Sequence, residues 1–155
     1  MGDTIGHSVS AILTQARDEI RANMQAQNIN ASGRTSAALQ VVQRGTKIEL
    51  IKSNGDNAPF QTLQYGRAGG KVPAGFYYII KQWTRDKGLS FANETERGTF
   101  AYFTARKIAR EGTQRHKTPN DQVYSEPIKK ASESIAKVVK DYVLANVSAT
   151  IKANF

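Results

Sequence analysis

The stretch Asn30-Ala31-Ser32-Gly33-Arg34-Thr35-Ser36 decides the fold, because its small and polar residues separate two segments with different apolar periods. Before it, apolar residues recur at every third or fourth position from Ile5 to Met24. This period places them on one face of a helix, which we predict over about residues 3–27. The stretch itself predicts the end of that helix, since Asn, Ser and Gly favour turns.

After the stretch, the apolar pattern changes to a period of about two. Residues 37–44 and 48–51 each alternate between two faces, as strands with one buried face do. The tripeptide Arg44-Gly45-Thr46 suits a tight turn between them. We therefore predict an antiparallel hairpin over residues 37–52, and with it an α+β fold.

The middle of the chain predicts two further helices. Residues 53–57 (Ser-Asn-Gly-Asp-Asn) predict a turn, and residues 60–65 fit either a third strand or a helical turn. Apolar residues at helical spacing then predict helices over about residues 75–87 and 95–111. Each is followed by a glycine, which commonly ends a helix.

The last third of the chain predicts a loop and a long helix. Residues 112–124 are polar and predict an exposed, mobile loop. Ser125 is expected to cap the long C-terminal helix. Residues 143–155 fit either a continuation of this helix or a strand, and residues 146–155 fit an arm that is flexible or ordered on assembly. Without a linker or repeat, residues 1–155 predict a single domain.

The composition favours an anionic partner. The 155 residues include 22 Lys and Arg against 13 Asp and Glu, which gives a formal net charge of +9. Such an excess suits nucleic acid or an acidic protein surface. The absence of cysteine excludes disulfides and thiolate chemistry. Because no run of 18 apolar residues occurs, we expect no membrane partner.

The sequence offers no catalytic or metal-binding set. The two histidines, His7 and His116, are far apart, and neither lies in a cluster with metal-ligand spacing. The glycine-rich run Gly66–Val72 contains a lysine, but its spacing does not fit a phosphate-binding loop, which also needs Ser or Thr where Val72 stands. We therefore predict no catalytic residues, no metal site and no cofactor, and a protein that is not an enzyme.

Basic residues are concentrated between positions 97 and 117. Arg106 and Arg110 are four apart on a predicted helix and share a face, with Lys107 beside them. Such a strip suits contact with phosphates; the alternatives are a solvated face or pairing with acidic residues of a neighbouring subunit. The candidates for contact with DNA or another anionic partner are Arg97, Arg106, Lys107, Arg110, Arg115 and Lys117.

Three motifs carry a resemblance to a known family. They are the run Ala31–Ser36, the segment Leu63-Gln64-Tyr65-Gly66-Arg67, and the helical pattern from Arg97 to Thr113. Over about residues 5–142, the order of helix, small-residue turn, strand pair and Tyr-Gly-Arg segment resembles the tail-completion or neck proteins of tailed bacteriophages. Gln64 departs from the family pattern, which has an acidic residue there, and this puts any carried-over salt bridge in doubt.

The resemblance implies a structural virion protein that forms a ring of six or twelve copies around a DNA channel. Its partners would be other copies, adjacent neck, portal or tail proteins, and genomic DNA through non-specific phosphate contacts. It would assemble in the host cytoplasm and lie at the head–tail joint. The candidate residues of assembly loops are Ser32, Gly33, Arg34, Tyr65, Gly66, Arg67 and Lys71. The alternative hypothesis is a stand-alone basic module that binds nucleic acid as a monomer.

Overall fold

The computed structural model describes residues 3–52, 60–120 and 122–154. Within these ranges the chain forms seven helices and two strands, in the order α1 Asp3–Ala26, α2 Arg34–Ala37, β1 Leu39–Arg44, β2 Lys47–Lys52, α3 Phe60–Tyr65, α4 Phe76–Asp86, α5 Glu94–Glu111, α6 Gln114–Lys117 and α7 Ser125–Asn154. The α+β class is thereby confirmed, together with the long first helix, the hairpin, the two middle helices and the long last helix. The turn predicted at residues 53–57 lies outside the described residues.

The hairpin begins two residues later than predicted, because Ala37 belongs to the one-turn helix α2. Gly33 adopts a left-handed conformation (φ 78°) that starts this turn. The Arg21 guanidinium of α1 donates to the carbonyl oxygens of Ser36 and Leu39, at 2.9 and 2.8 Å. These bonds hold the chain against α1 through the turn, so β1 starts only at Leu39.

The two strands form an antiparallel sheet that packs on α1. Leu39 pairs with Lys52 at one end and Arg44 with Lys47 at the other, and Gly45 supplies the left-handed turn (φ 61°). Leu39 packs with three fully or nearly fully buried side chains, Ile20 and Met24 from α1 and Val123 from the segment before α7. This cluster joins the start and the end of the chain in one core.

Helices α1 and α7 pack antiparallel. Glu19 pairs with Lys130 at 3.2 Å, and the Asn23 amide donates to the carbonyl oxygen of Gln122. Small buried residues, Ala16 and Ala131, lie where the helices pack. Extrapolated along both helices, this register places the first turn of α1 near residue 144, so the last ten or so residues of α7 extend roughly 15 Å beyond α1.

Helices α4 and α5 form a second packed pair. Ile80 of α4 is buried against Ala101 and Ala105 of α5. Two contacts tie this pair to the end of α1 and to α2: Lys87 Nζ donates to the Asn30 carbonyl oxygen at 3.1 Å, and Asp86 pairs with Arg34 at 3.6 Å. The pair therefore lies at the end of the molecule where α1 finishes.

The structure decides between the alternatives for residues 60–65 and 143–154, and it corrects the prediction of a mobile loop after α5. Residues 60–65 form the helix α3, so they are not a third strand. Residues 112–120 and 122–124 are not a free loop, because they include α6 and the fully buried Val123. Residues 143–154 continue α7 as a helix rather than forming a strand.

Candidate functional site

Helix α5 is fixed at both ends and turns one face to solvent. The Asn93 side chain caps its first turn by accepting from the backbone N–H of Glu96 at 2.9 Å, and Gly112 ends it with a positive φ of 77°. Because Ala101 and Ala105 face α4, residues on the opposite side project outward. The small buried alanines thus set which side chains α5 exposes.

The exposed side combines aromatic rings with cations. We call it the α5 outer face, and it consists of Tyr102, Phe103, Arg106, Lys107 and Arg110. The Phe103 side chain is 62% exposed, with its ring centroid 5.5 Å from that of Tyr102 in an edge-on arrangement. A depression of about 640 Å³ lies between Phe103 and the three cations. Aromatic rings beside cations suit stacking together with phosphate contact.

The electrostatics of the α5 outer face leave it positively charged. Arg106 donates to the Tyr102 hydroxyl at 3.1 Å and lies 5.6 Å from the ring centroid. Arg110 pairs with Glu111, and this hydrogen bond, followed by the nearby charges of Arg110, Lys107 and Lys117, lowers the pKa of the Glu111 carboxyl. The Glu111 carboxylate can neutralise only one of these cations, so the α5 outer face keeps a net positive charge.

Arg97 does not belong to this face, although the sequence grouped it there. Its side chain is only 16% exposed, pairs with Glu94 at 3.1 Å and donates to the Thr84 hydroxyl at 3.1 Å. Its guanidinium lies 4.8 Å from the Phe91 ring centroid. Nine residues separate Arg97 from Arg106, which is about 180° around a helix. That spacing was available in the sequence and could have placed Arg97 against α4.

The structure distributes the other basic candidates between two elements. Arg106, Lys107 and Arg110 come together on the α5 outer face. Arg115 and Lys117 lie on α6; Arg115 is partly buried, whereas Lys117 is exposed and acts on Glu111. Contact between these cations and DNA stays a prediction.

The loop after α3 packs against the chain after α5. The backbone N–H of Arg67 donates to the Thr113 hydroxyl at 2.8 Å, the N–H of Thr113 donates to the Arg67 carbonyl oxygen at 2.8 Å, and Gly70 donates to Ala109 at 2.7 Å. The Arg67 guanidinium donates to the Lys71 carbonyl oxygen and lies over the Phe76 ring. The segment with the assembly candidates Gly66, Arg67 and Lys71 therefore contacts the start of the predicted mobile loop over this length.

Gln64 has a role that the sequence did not reveal. Its fully buried side chain accepts from the backbone N–H groups of Tyr124 and Ser125, at 3.1 and 3.0 Å, and donates to the Ser125 hydroxyl at 2.6 Å. The Tyr65 hydroxyl lies 3.3 Å from the same Ser125 oxygen. The prediction that Ser125 caps α7 is therefore wrong, because Ser125 is the first helical residue and Gln64 supplies the acceptor.

A groove lies beside the turn that decides the fold. We call it the α4 groove; it measures about 420 Å³ and is lined by Ala31, Ser32, Arg34, Tyr78, Ile79, Gln82, Trp83 and Asp86. Tyr78 is 71% exposed, and Ile79 and Trp83 are also exposed. Helix α4 thus has two apolar sides, one buried against α5 through Ile80 and one open in this groove. The predicted assembly residues Ser32 and Arg34 lie on its rim.

The end of α7 is a second exposed apolar surface. We call residues 143–154 the α7 tail. Its Val143, Leu144, Val147 and Ile151 side chains are each between 51% and 54% exposed. Val143, Val147 and Ile151 recur at intervals of four, so they form a continuous stripe along the helix.

Neither metal ligation nor membrane insertion is supported in the described parts of the chain. Within them, no three side chains of His, Cys, Asp or Glu are grouped so that they could hold a metal ion. None of the helices described is both long and apolar enough to cross a membrane. Comparisons of the chain with protein-family models, with curated proteins and with solved structures found no match.

Proposed function

We propose that this chain is a non-enzymatic structural subunit of the head–tail connector of a tailed bacteriophage. Copies form a ring around the DNA channel and join portal-side to tail-side components. The observation that carries the proposal is the α7 tail, a helix that extends beyond α1 and exposes its apolar side chains. Large contiguous apolar patches on soluble proteins usually mark interfaces.

The composition of the α7 tail supports an interface. Val143, Val147, Thr150 and Ile151 are β-branched, and such residues are weaker helix formers than Leu or Ala. Isolated helical segments of about this length are marginal in water. A partner that covers the apolar stripe would stabilise the helical conformation of the α7 tail, as expected for a subunit of an assembly.

Two further observations support a connector in particular. The motifs at Ala31–Ser36 and Leu63–Arg67 resemble those of phage neck proteins in type and order. The α5 outer face offers positive charge with few carboxylates, which suits the wall of a channel that holds DNA without reading its sequence. In this arrangement Arg106, Lys107 and Arg110 would face the DNA.

The test is the absolute copy number of this protein in purified virions of its phage, measured by quantitative mass spectrometry with labelled peptide standards. We expect six or twelve copies in each particle, in a fixed ratio to the portal protein measured in the same sample. The portal protein serves as the internal control for particle count. Complete absence from the particle would refute the proposal.

The α5 outer face also favours a second candidate function, a stand-alone module that binds nucleic acid. Its exposed Phe103 and Tyr102 beside three cations resemble a stacking platform with a phosphate groove. In this case the monomer itself binds DNA, and affinity falls steeply with salt.

A charge-matched pair of variants tests this second candidate. Changing Arg106, Lys107 and Arg110 to Ala should reduce the slope of log affinity against log salt by about 2.7, if each cation contacts one phosphate of duplex DNA. The control changes the exposed Lys129, Lys137 and Lys140 of α7 to Ala and removes the same charge. Equal loss in both variants would show that only net charge matters and would reject a site on α5.

A further inference from the structure

We propose that copies of this chain join head to tail, with the α7 tail of one copy lying in the α4 groove of the next. This inference rests on the proposed self-assembly and names the two surfaces that make the contact. Both surfaces are exposed and apolar in the single chain: Tyr78, Ile79 and Trp83 in the groove, and the Val143–Ile151 stripe on the tail.

The two surfaces lie at opposite ends of the molecule. Asp86, at the end of α4, pairs with Arg34, so the α4 groove lies close to the end of α1. The start of α7 is at that same end, since Asn23 contacts Gln122. Val147 is 22 residues further along a continuous helix, roughly 33 Å away. The tail of a chain therefore cannot reach its own groove, and the occupant must be another copy.

The dimensions of the two surfaces match. Val143 and Ile151 are eight positions apart on a helix, about 12 Å. On the groove face of α4, Tyr78 and Asp86 are also eight positions apart, about 12 Å. An amphipathic helix lying against an apolar groove through side chains at intervals of four is a common recognition mode. Tyr, Trp and Arg, which the groove supplies, dominate the binding energy of many interfaces.

The charges of the α4 groove also favour the tail as occupant. Arg34 and Asp86 are the charged residues of its lining, and they neutralise each other at 3.6 Å. The stripe on the tail is uncharged, so its burial in the α4 groove leaves no charged group without a partner. On the α5 outer face, the same stripe would cover Arg106 and Lys107 without giving them a partner, which is costly.

The size of the contact favours a closed ring over an isolated dimer. The large apolar side chains of groove and tail expose on the order of 700 Å² in total. Stable specific interfaces bury about 1,200–2,000 Å² in total. One tail in one groove is therefore a weak contact. In a closed head-to-tail ring every copy gives one tail and receives another, so each copy makes two such contacts.

Engineered cysteines test the pairing directly, because the natural chain has none. We expect the double variant Val147→Cys, Ile79→Cys to form covalent oligomers under mild oxidation. Mixing the two single variants should give covalent dimers that contain one chain of each kind. The control pairs Val147→Cys with Thr46→Cys, which lies in the exposed hairpin turn, and should give no mixed dimers.

A charge substitution gives a second, independent readout by light scattering. Val147→Glu should weaken assembly of the full chain at least tenfold, whereas Ala149→Glu, two residues away on the opposite side of the helix, should leave it unchanged. If the wild-type chain forms oligomers, but the double cysteine variant forms no Val147–Ile79 crosslink and Val147→Glu assembles as well as wild type, this interface is overturned and the connector proposal still stands. If the wild-type chain stays monomeric and the cysteine variants form no crosslink, the interface is overturned as well, while copy number in the virion still decides the function.

Discussion

At the scale of single residues, the start of α7 depends on a side chain 60 positions earlier. Gln64 accepts from two backbone N–H groups that have no partner inside the helix, those of Tyr124 and Ser125. Because Gln64 is fully buried, water cannot replace it. A carboxylate at this position could accept the same two bonds.

Gln64→Met should lower the free energy of unfolding by about 1–2 kcal/mol, because it keeps the side-chain volume but removes the side-chain acceptor of two partly buried N–H groups. Gln64→Glu should lose less, since its oxygens still accept both bonds. The measurement is urea denaturation followed by circular dichroism, with the exposed Gln25→Met as control. Equal stability of Gln64→Met and wild type would mean that this cap contributes nothing.

Gly66 and Gly33 distinguish two costs of replacing a glycine: backbone strain at a positive φ, and overlap of the added Cβ atom with its neighbours. Both have positive φ, 70° and 78°. A Cβ atom on Gly66 would lie 2.6 Å from the Arg115 carbonyl carbon, whereas a Cβ atom on Gly33 would meet no atom within 4 Å. We expect Gly33→Ala to cost about 1 kcal/mol of stability from backbone strain alone, and Gly66→Ala to cost about 3 kcal/mol or more, since the loops must also separate. The measurement is thermal or urea unfolding of both variants. Equal losses of unfolding free energy in the two variants would contradict this prediction.

At the scale of elements, a shared carboxylate joins α4 to α5. Glu94 lies 3.1 Å from Lys81 and 2.8 Å from Arg85 on α4, and 3.1 Å from Arg97 on its own helix. The hydrogen bonds from Lys81 and Arg85 hold the pKa of the Glu94 carboxyl below its ordinary value of 4.5. The pairing is solvent-exposed, so its contribution is small and screened by salt.

The lowered pKa of Glu94 fixes the sign of a pH effect. A carboxyl whose pKa is lower in the folded state stabilises that state at pH values above its unfolded pKa, and the stabilisation is lost as pH falls through the folded pKa. Wild type should therefore unfold at a higher urea concentration than Glu94→Gln at pH 7, and the difference should vanish as the pH falls below 4.5. A difference that is independent of pH would exclude this ion pair as its cause.

The elements with a strong period could be predicted from the sequence, and those fixed by distant contacts could not. Helix α1 and the hairpin follow from periods of about 3.6 and 2. Residues 60–65 are too short to show a period, and their helix is held through Gln64 by a segment 60 residues away. In the basic strip, three members share a face as predicted. The helical spacing could have placed Arg97 on the opposite face, but its bond to Thr84 of α4 depends on a contact between distant segments that the sequence does not show.

At the scale of the whole molecule, stability should be uneven along α7. Its first half packs on α1, whereas residues 143–154 expose every side chain that the structure describes there. Hydrogen exchange of the monomer should therefore be slow at Ala131 and at least a hundredfold faster beyond Val143, because backbone opening there breaks few contacts. Assembly should slow exchange in the tail and leave the hairpin turn unchanged. Slow exchange in the tail of a verified monomer would contradict this picture.

The packing of α1 on α7 also has a consequence for synthesis of the chain. About one hundred residues separate the end of α1 from the start of α7. At 5–20 residues per second, the ribosome needs roughly 5–20 s to make them, and during that time Ile20 and Met24 lack their Val123 cover. The nascent chain should therefore bind chaperones until Val123 has been made and can pack against α1. Because the α7 tail follows Val123 along the chain, we expect the core of each copy to be able to close before its tail can make the proposed contact with a neighbour.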